Sequence, residues 1–221
     1  MFSRKVPFAG VRKAITQRLS PGFHQALPVA LMMEFKADPL LDHRKKQRSR
    51  PSITSYAVKA AALALKKYPD MNVTFEEGEL IYHDEVNIAV GVHTPRGLRA
   101  PVIRNVDKMT LNELTRIIDE FAEKGERGEI TLADQEGHSF TVTNLGMTGV
   151  THFTPIINPP DCSILGLGAI IAKPIVVDNK LELGKVGHLT LVFDHRVIDG
   201  MPASIFLGEI KRLLENPVEL E

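Results

Sequence analysis

An α+β fold on a mixed sheet is predicted by three features of this 221-residue chain. Short apolar runs bounded by turn residues fill residues 71–104 and 139–193, which is the pattern of strands. Three longer stretches carry helical periodicity and end signals instead. No internal repeat, low-complexity tract or linker divides the sequence, so residues 1–221 read as one domain with strands and helices mixed along it.

The elements follow in order. Pro7 to Ser20 reads as an N-terminal arm with a short helix, because Val11, Ile15 and Leu19 recur every fourth residue and Pro21-Gly22 supplies a stop. Residues 28–36 are apolar enough for a strand. His43, Arg44, Lys45, Lys46, Arg48 and Arg50 form a basic run, and Pro51-Ser52 opens an alanine-rich helix over about 52–68. Residues 71–75 and 80–83 flank Glu76-Glu77-Gly78 as a hairpin, and 87–93 and 98–104 flank a turn at Thr94-Pro95-Arg96-Gly97. Thr110 and Glu113 form a capping box ahead of the stripe Leu111, Leu114, Ile117, Ile118 and Phe121, with Gly125 and Gly128 closing that helix. Strands are expected at 139–145, 163–172 and 186–193, with a hairpin around Asp178-Asn179. A last helix near 202–215 presents Ile205, Phe206, Ile210, Leu213 and Leu214.

Composition narrows the function. Lysine plus arginine equals aspartate plus glutamate at 27 each, so global charge favours neither nucleic acid nor membrane, and an anionic ligand must find a local patch. The basic run is short and lacks aromatics, which weakens a nucleic-acid role further. The single cysteine, Cys162, allows no internal disulfide and reads as a packed thiol at the start of a strand. No apolar run is long enough to span a bilayer, and cytoplasm, or an organelle matrix such as that of mitochondria, is the expected location. Histidines 24, 43, 83, 138, 152 and 188 show no His-x-x-x-His spacing, so no metal is expected.

The chemistry concentrates in Asp194-His195-Arg196-Val197-Ile198-Asp199-Gly200, between a strand and a helix. A histidine there suits proton transfer near neutral pH. A histidine and an aspartate four apart also occur by chance, and on spacing alone an ion pair on a surface loop is the better explanation. This segment, however, resembles the His-x-x-x-Asp-Gly motif of the dihydrolipoamide acyltransferases. Related motifs occur in chloramphenicol acetyltransferase and in peptide-synthetase condensation domains. Phe140-Thr141-Val142-Thr143-Asn144-Leu145-Gly146, Phe153-Thr154-Pro155-Ile156-Ile157-Asn158-Pro159-Pro160, Thr94-Pro95-Arg96-Gly97-Leu98, Pro101-Val102-Ile103 and Val6-Pro7 to Ile15 resemble the acyltransferases in the same order.

The resemblance implies a chloramphenicol-acetyltransferase-like two-layer fold, a central mixed sheet flanked by helices. It implies transfer of an acyl group between dihydrolipoamide and coenzyme A in a 2-oxo acid dehydrogenase complex, of branched-chain or pyruvate type. His195 would be the general base, Asp199 would hold the loop, and Thr143 would donate a hydrogen bond to the oxyanion where the family has serine. Without that likeness, Thr143 is simply a strand threonine chosen for β-propensity. Arg44, Ser52, Asn144, Gly168 and Ile170 would contact coenzyme A, and Gly166-Leu167-Gly168 is no dinucleotide fingerprint because a third glycine and a following helix are missing. A solvated loop remains the alternative for the basic run.

The resemblance further implies a homotrimer with active sites between subunits, built into a larger hollow core, with lipoyl domains, a decarboxylase and a dihydrolipoamide dehydrogenase as partners. Residues 213–220 are a candidate contact between trimers. No lipoyl domain, Asp-Lys-Ala-like lipoylation site, subunit-binding domain or Pro/Ala-rich linker appears in the 221 residues, so the acyl-carrying arm is expected from another chain or as free dihydrolipoamide. Two residues depart from the pattern: His93 stands where relatives commonly carry aspartate, and Arg99 replaces an apolar strand residue. An O-acetyltransferase of the chloramphenicol type and a mainly structural scaffold are the alternative readings.

Overall fold

The computed structural model describes residues 3–221. Its centre is a seven-stranded mixed sheet built from β1 (Pro28–Lys36), β4 (Ile88–Val90), β5 (Val102–Ile103), β6 (Phe140–Asn144), β7 (Ser163–Leu167), β8 (Ile171–Val177) and β9 (Lys180–Asp194). The main path runs β1-β9-β7-β6-β4-β5, and β8 pairs with β9 beside it. Neighbours β4, β6 and β7 are parallel and the remaining pairs antiparallel. A separate hairpin joins β2 (Val73–Glu76) to β3 (Glu79–Tyr82).

Strand alternation assigns the two faces of the sheet. Phe140 and Val142 of β6, with Leu189, Leu191 and Phe193 of β9, are buried in the main core. That core also holds α3 (Ile53–Lys67) and α5 (Gly200–Glu215), and the Phe140 and Phe206 rings meet edge to face. The helices therefore cover one face. Thr141 and Val192 point to the other face, where Ala26, Ile157, Ile164 and Val192 form a small second cluster.

Several helices end as their sequences dictate. Ser52 caps α3 by accepting from the Ser55 N–H at 3.0 Å. Thr110 and Glu113 make a reciprocal capping box on α4 (Leu111–Arg127), and Gly128 closes it in the left-handed region at φ 71°. The Asp178-Asn179 turn between β8 and β9 has positive φ at both residues, which suits a two-residue hairpin.

Four expectations need correction. The first helix, α1, spans Val11–His24 and continues through Pro21-Gly22 instead of stopping there. Part of the basic run lies on a helix, α2 (Asp38–Lys46), which Pro39 opens in its first turn. On α5 the buried stripe is Ala203, Phe206, Leu207, Ile210, Leu213 and Leu214, the i, i+3, i+4, i+7 set, whereas Ile205 falls outside it and is exposed. Finally, the strand expected at 163–172 ends at Leu167, and Ile171 begins β8 as a separate strand.

Candidate active site

The loop from Asp194 to Gly200 is pinned by its first residue. Asp194 is buried, and its carboxylate accepts hydrogen bonds from the backbone N–H of Leu27 and of Arg196 at 3.1 and 3.0 Å. The Arg196 side chain adds three more contacts, Nε at 3.1 Å from Oδ1 and 2.9 Å from Oδ2, and Nη2 at 2.6 Å from Oδ2. The other side of that guanidinium lies over the Phe75 ring, 4.8 Å from its centre. Burial opposes ionisation of Asp194, but the bonds from Arg196 and Leu27 outweigh it and hold the carboxyl below the usual aspartate range. Val197 and Ile198 also donate to the Asp194 carbonyl, so the chain turns sharply before α5.

This framework lifts His195 out of the sheet. Its backbone N–H is fixed to the Leu27 carbonyl at 2.9 Å, while its side chain stays 44% exposed. Asp199, at the N-cap of α5, faces it with Oδ1 3.8 Å from Nδ1, an electrostatic contact beyond hydrogen-bond range. The Asp199 carboxylate is 84% exposed and makes no capping bond. Anchoring of the loop, expected of Asp199, is therefore carried by Asp194, a residue whose part the motif spacing does not reveal. The signal for it was the Asp-x-Arg pair inside the same segment.

Cys162 lies beneath this loop, its carbonyl accepting from Asp194 N–H at 2.9 Å. Burial, with Asp194 and Asp161 nearby, pushes its thiol up to about 12, which fits a packed, unreactive group.

The other candidate residues gather at the opposite end of the sheet. Thr143 is half-buried near the end of β6, and its hydroxyl makes no hydrogen bond among the described residues. Gly91 runs beside it, where a side-chain Cβ would lie 2.9 Å from Thr143 Oγ1. Asn144 Nδ2 donates to Thr54 in the first turn of α3, and its Oδ1 accepts from Gly146 N–H at 2.8 Å. Gly146 in turn packs on the Gly168 carbonyl. Gly168 itself is obligatory, because a Cβ there would meet the Thr151 carbonyl oxygen at 1.7 Å.

Arg44 reaches the same helix start, with Nε donating to the Pro51 carbonyl at 2.7 Å. Ser52, Asn144 and Arg44 thus converge on the N-terminus of α3, whose backbone dipoles favour an anion. Lys45, Lys46, Arg48 and Arg50 add exposed positive charge nearby in sequence. Ile170, half-buried, packs against the main core instead of joining the polar cluster.

The two groups lie far apart within one chain. Thr143 pairs with Gly166, which pairs with Thr190, five residues before His195. At about 3.3 Å per residue and about 4.8 Å per strand, that is roughly 17 Å along and 10 Å across, or about 20 Å in all. One thioester cannot touch both.

His93 and Arg99, the two departures, flank the turn at Thr94 to Gly97. His93 is exposed and Arg99 half-buried.

The family model for the 2-oxoacid dehydrogenases acyltransferase catalytic domain matches residues 2–221. A dihydrolipoyllysine-residue succinyltransferase component of the 2-oxoglutarate dehydrogenase complex of Haemophilus influenzae is 38% identical over 98% of this chain. A dihydrolipoyllysine-residue acetyltransferase component of the pyruvate dehydrogenase complex of Staphylococcus epidermidis is 39% identical over 97% of it. The chain spans about half the length of these relatives, 55% and 51%. Among solved structures, dihydrolipoamide acetyltransferase of Azotobacter vinelandii superposes with a TM-score of 0.93 at 31% identity, covering 99% of this chain and 94% of that one. Chloramphenicol acetyltransferase shares the fold at a TM-score of 0.58, with 13% identity and 90% and 94% of the two chains covered. The chain belongs to the family of 2-oxoacid dehydrogenase acyltransferase catalytic domains.

Proposed function

We propose that residues 1–221 are a single catalytic domain that moves an acyl group between the thiol of dihydrolipoamide and the thiol of coenzyme A. His195 is its general base. The observation that carries this reading is a coincidence of order and spacing. The Azotobacter vinelandii enzyme was investigated for the roles of one serine, one histidine and one asparagine in its catalytic mechanism. Those three residues follow one another at the same intervals as Thr143, His195 and Asp199 in this chain.

The chemistry follows from the side chains. An aliphatic thiol is mostly protonated at neutral pH, and the thiolate is the nucleophile. His195 takes the thiol proton, the sulfur attacks the thioester carbonyl carbon, and negative charge moves to the carbonyl oxygen. The unoccupied hydroxyl of Thr143 donates to that oxygen. The tetrahedral species then collapses, the second sulfur leaves, and it recovers the proton from His195. Asp199 stands 3.8 Å from Nδ1 on the far side of the ring and takes no part in the proton transfer itself.

The separation of about 20 Å between Thr143 and His195 within one chain supports a site in which the two come from different subunits. A homotrimer in which His195 of one chain meets Thr143 of the next supplies this arrangement. Coenzyme A would then lie along Arg44, Ser52, Asn144 and Gly168, with its phosphates at the start of α3 and Ile170 as an apolar contact. The acyl-carrying arm comes from a lipoyl domain, and the decarboxylase and dihydrolipoamide dehydrogenase complete the complex. The solved cubic core of a pyruvate dehydrogenase multienzyme complex, a structural relative at a TM-score of 0.93, supports a larger hollow assembly of such trimers. A bacterial cytoplasm or a mitochondrial matrix suits these partners.

Residues 213–220 contribute less to such an assembly than expected, since Leu213, Leu214 and Leu220 are buried in their own subunit. Val218 is exposed and stays available for a contact between trimers.

The test is a transfer assay pairing several acyl-coenzyme A species with dihydrolipoamide, using the wild type and His195→Ala. A rate falling by roughly 10²–10⁴ supports the general base. Equal rates would refute it.

A further inference from the structure

Arg99 is not among the residues assigned above to acyl transfer, and it stands where the family pattern has an apolar strand residue, bridged to Val92. Its backbone is locked to Val92 by two hydrogen bonds, at 2.8 and 3.0 Å, so the side chain is held in a defined direction. It lines a half-open groove of about 160 Å³ between α1, residues 98–100 and the stretch 132–135, with Ala14, Leu98 and Leu132 exposed along its rim. Arg18 enters the same groove from α1.

The polar groups of the groove are one-sided. Arg18 Nε donates to Asn158 Oδ1 at 3.2 Å, and Nη2 donates to the Gln135 carbonyl at 3.1 Å and contacts His138 Nε2 at 3.2 Å. These bonds lock the guanidinium and leave Nη1 without a hydrogen bond among the described residues. Arg99 makes no side-chain hydrogen bond and no ion pair among the described residues, and neither arginine has a carboxylate within salt-bridge distance. No acidic residue lines the groove, and its remaining walls are alanine, leucine and isoleucine with two amides. Asp161, bound to His138 at 2.6 Å behind Arg18, and Glu136 nearby both offset part of the Arg18 charge. Two half-buried cations side by side, only one of them partly offset, call for an anion.

We propose that this groove binds a short aliphatic carboxylate of about four to six carbons. Arg18 and Arg99 hold the carboxylate, and the chain lies along Ile15 and Leu19, with Ala14 and Leu132 at the rim of the groove. An apolar cavity of about 150 Å³ accommodates benzene, so 160 Å³ suits a carbon skeleton of that size. The planar donor forks of arginine match a carboxylate better than a spherical anion. An aspartate or glutamate inserted from a neighbouring chain brings only one or two methylene groups and leaves the apolar walls uncovered. The free small molecule is therefore the better occupant.

Titration calorimetry on the full chain with 3-methylbutanoate tests this, with 3-methylbutanamide and inorganic sulfate as comparison ligands. Saturable binding of one carboxylate per chain is expected, at least tenfold tighter than either comparison. Arg99→Val should weaken it roughly tenfold to a hundredfold, the loss of a charge-assisted contact. Ala14→Phe, which fills the apolar part, should abolish it while thermal unfolding stays cooperative. The proposal is overturned if 3-methylbutanoate shows no saturable binding, if sulfate binds equally well, or if Arg99→Val binds as the wild type does. It is also overturned if Arg99→Val reduces the size of the assembly by light scattering, because the groove then receives a neighbour's acidic side chain.

Discussion

The two ends of the central sheet are built on opposite principles. At the His195 end, a buried and ionised Asp194 grips Arg196 and two backbone amides, and the reactive side chain stands on a rigid stem in solvent. At the Thr143 end, no group among the described residues bonds the hydroxyl, and glycines at 91, 146 and 168 let backbones crowd together around it. In the proposed reading the first end positions the proton acceptor and the second the oxyanion donor, and each subunit supplies half of a shared site.

Breaking each end should cost different amounts. His195→Ala removes the base, and a fall of roughly 10²–10⁴ in the turnover of acyl-coenzyme A with dihydrolipoamide is expected. Thr143→Ala removes a single oxyanion donor and should cost roughly 10²–10³, while Thr143→Ser should stay within a few-fold of wild type. A Ser variant as slow as the Ala variant would mean that shape, and not the hydroxyl, matters at position 143.

The His195 end has a pH signature in stability. The Asp194 carboxyl is lowered in the folded state relative to about 3.9 unfolded, so the folded state is favoured above that value and loses this contribution as pH falls through the folded pKa. Asp194→Asn should therefore unfold at a lower temperature than wild type at pH 7, by about 1–2 kcal/mol, since only the aspartate of the pair is buried and Arg196 is screened by solvent. The two melting temperatures should converge as the pH falls below about 3.9. A constant gap down to pH 2 would deny the ion pair its part. At the Thr143 end the smallest effect is expected from Arg44→Gln. It should raise KM for coenzyme A about tenfold with little change in kcat, since it weakens a ground-state contact.

The same contrast explains what the sequence makes legible. The capping box at Thr110, the alanine-rich helix after Ser52 and the hairpin at Asp178-Asn179 are local signals, and local bonds realise them. His195 stood out because its segment is continuous in the chain. Asp194 is only half legible, because the Asp-x-Arg pair is local but its bond from Leu27 and the seat of Arg196 on Phe75 come from far away in sequence. The length of α1 was misread because a proline-glycine pair usually stops a helix, and here it did not. Ile205 was misplaced because a short apolar run leaves the phase of a helix ambiguous, and only packing against β1 and α3 decides it. The convergence of Arg44, Ser52 and Asn144 on one helix start required the fold, since residues 44 and 144 approach only through the sheet.

The shared site is the centre of this account, and subunit mixing tests it most directly. His195→Ala and Thr143→Ala chains, each nearly inactive, are co-assembled in equal amounts and assayed for acyl transfer. If His195 of one chain works with Thr143 of the next, random mixing restores about a quarter of the sites and so about a quarter of wild-type activity. Activity no greater than the average of the two parent variants, in assemblies shown to contain both chains, would contradict a site built between subunits.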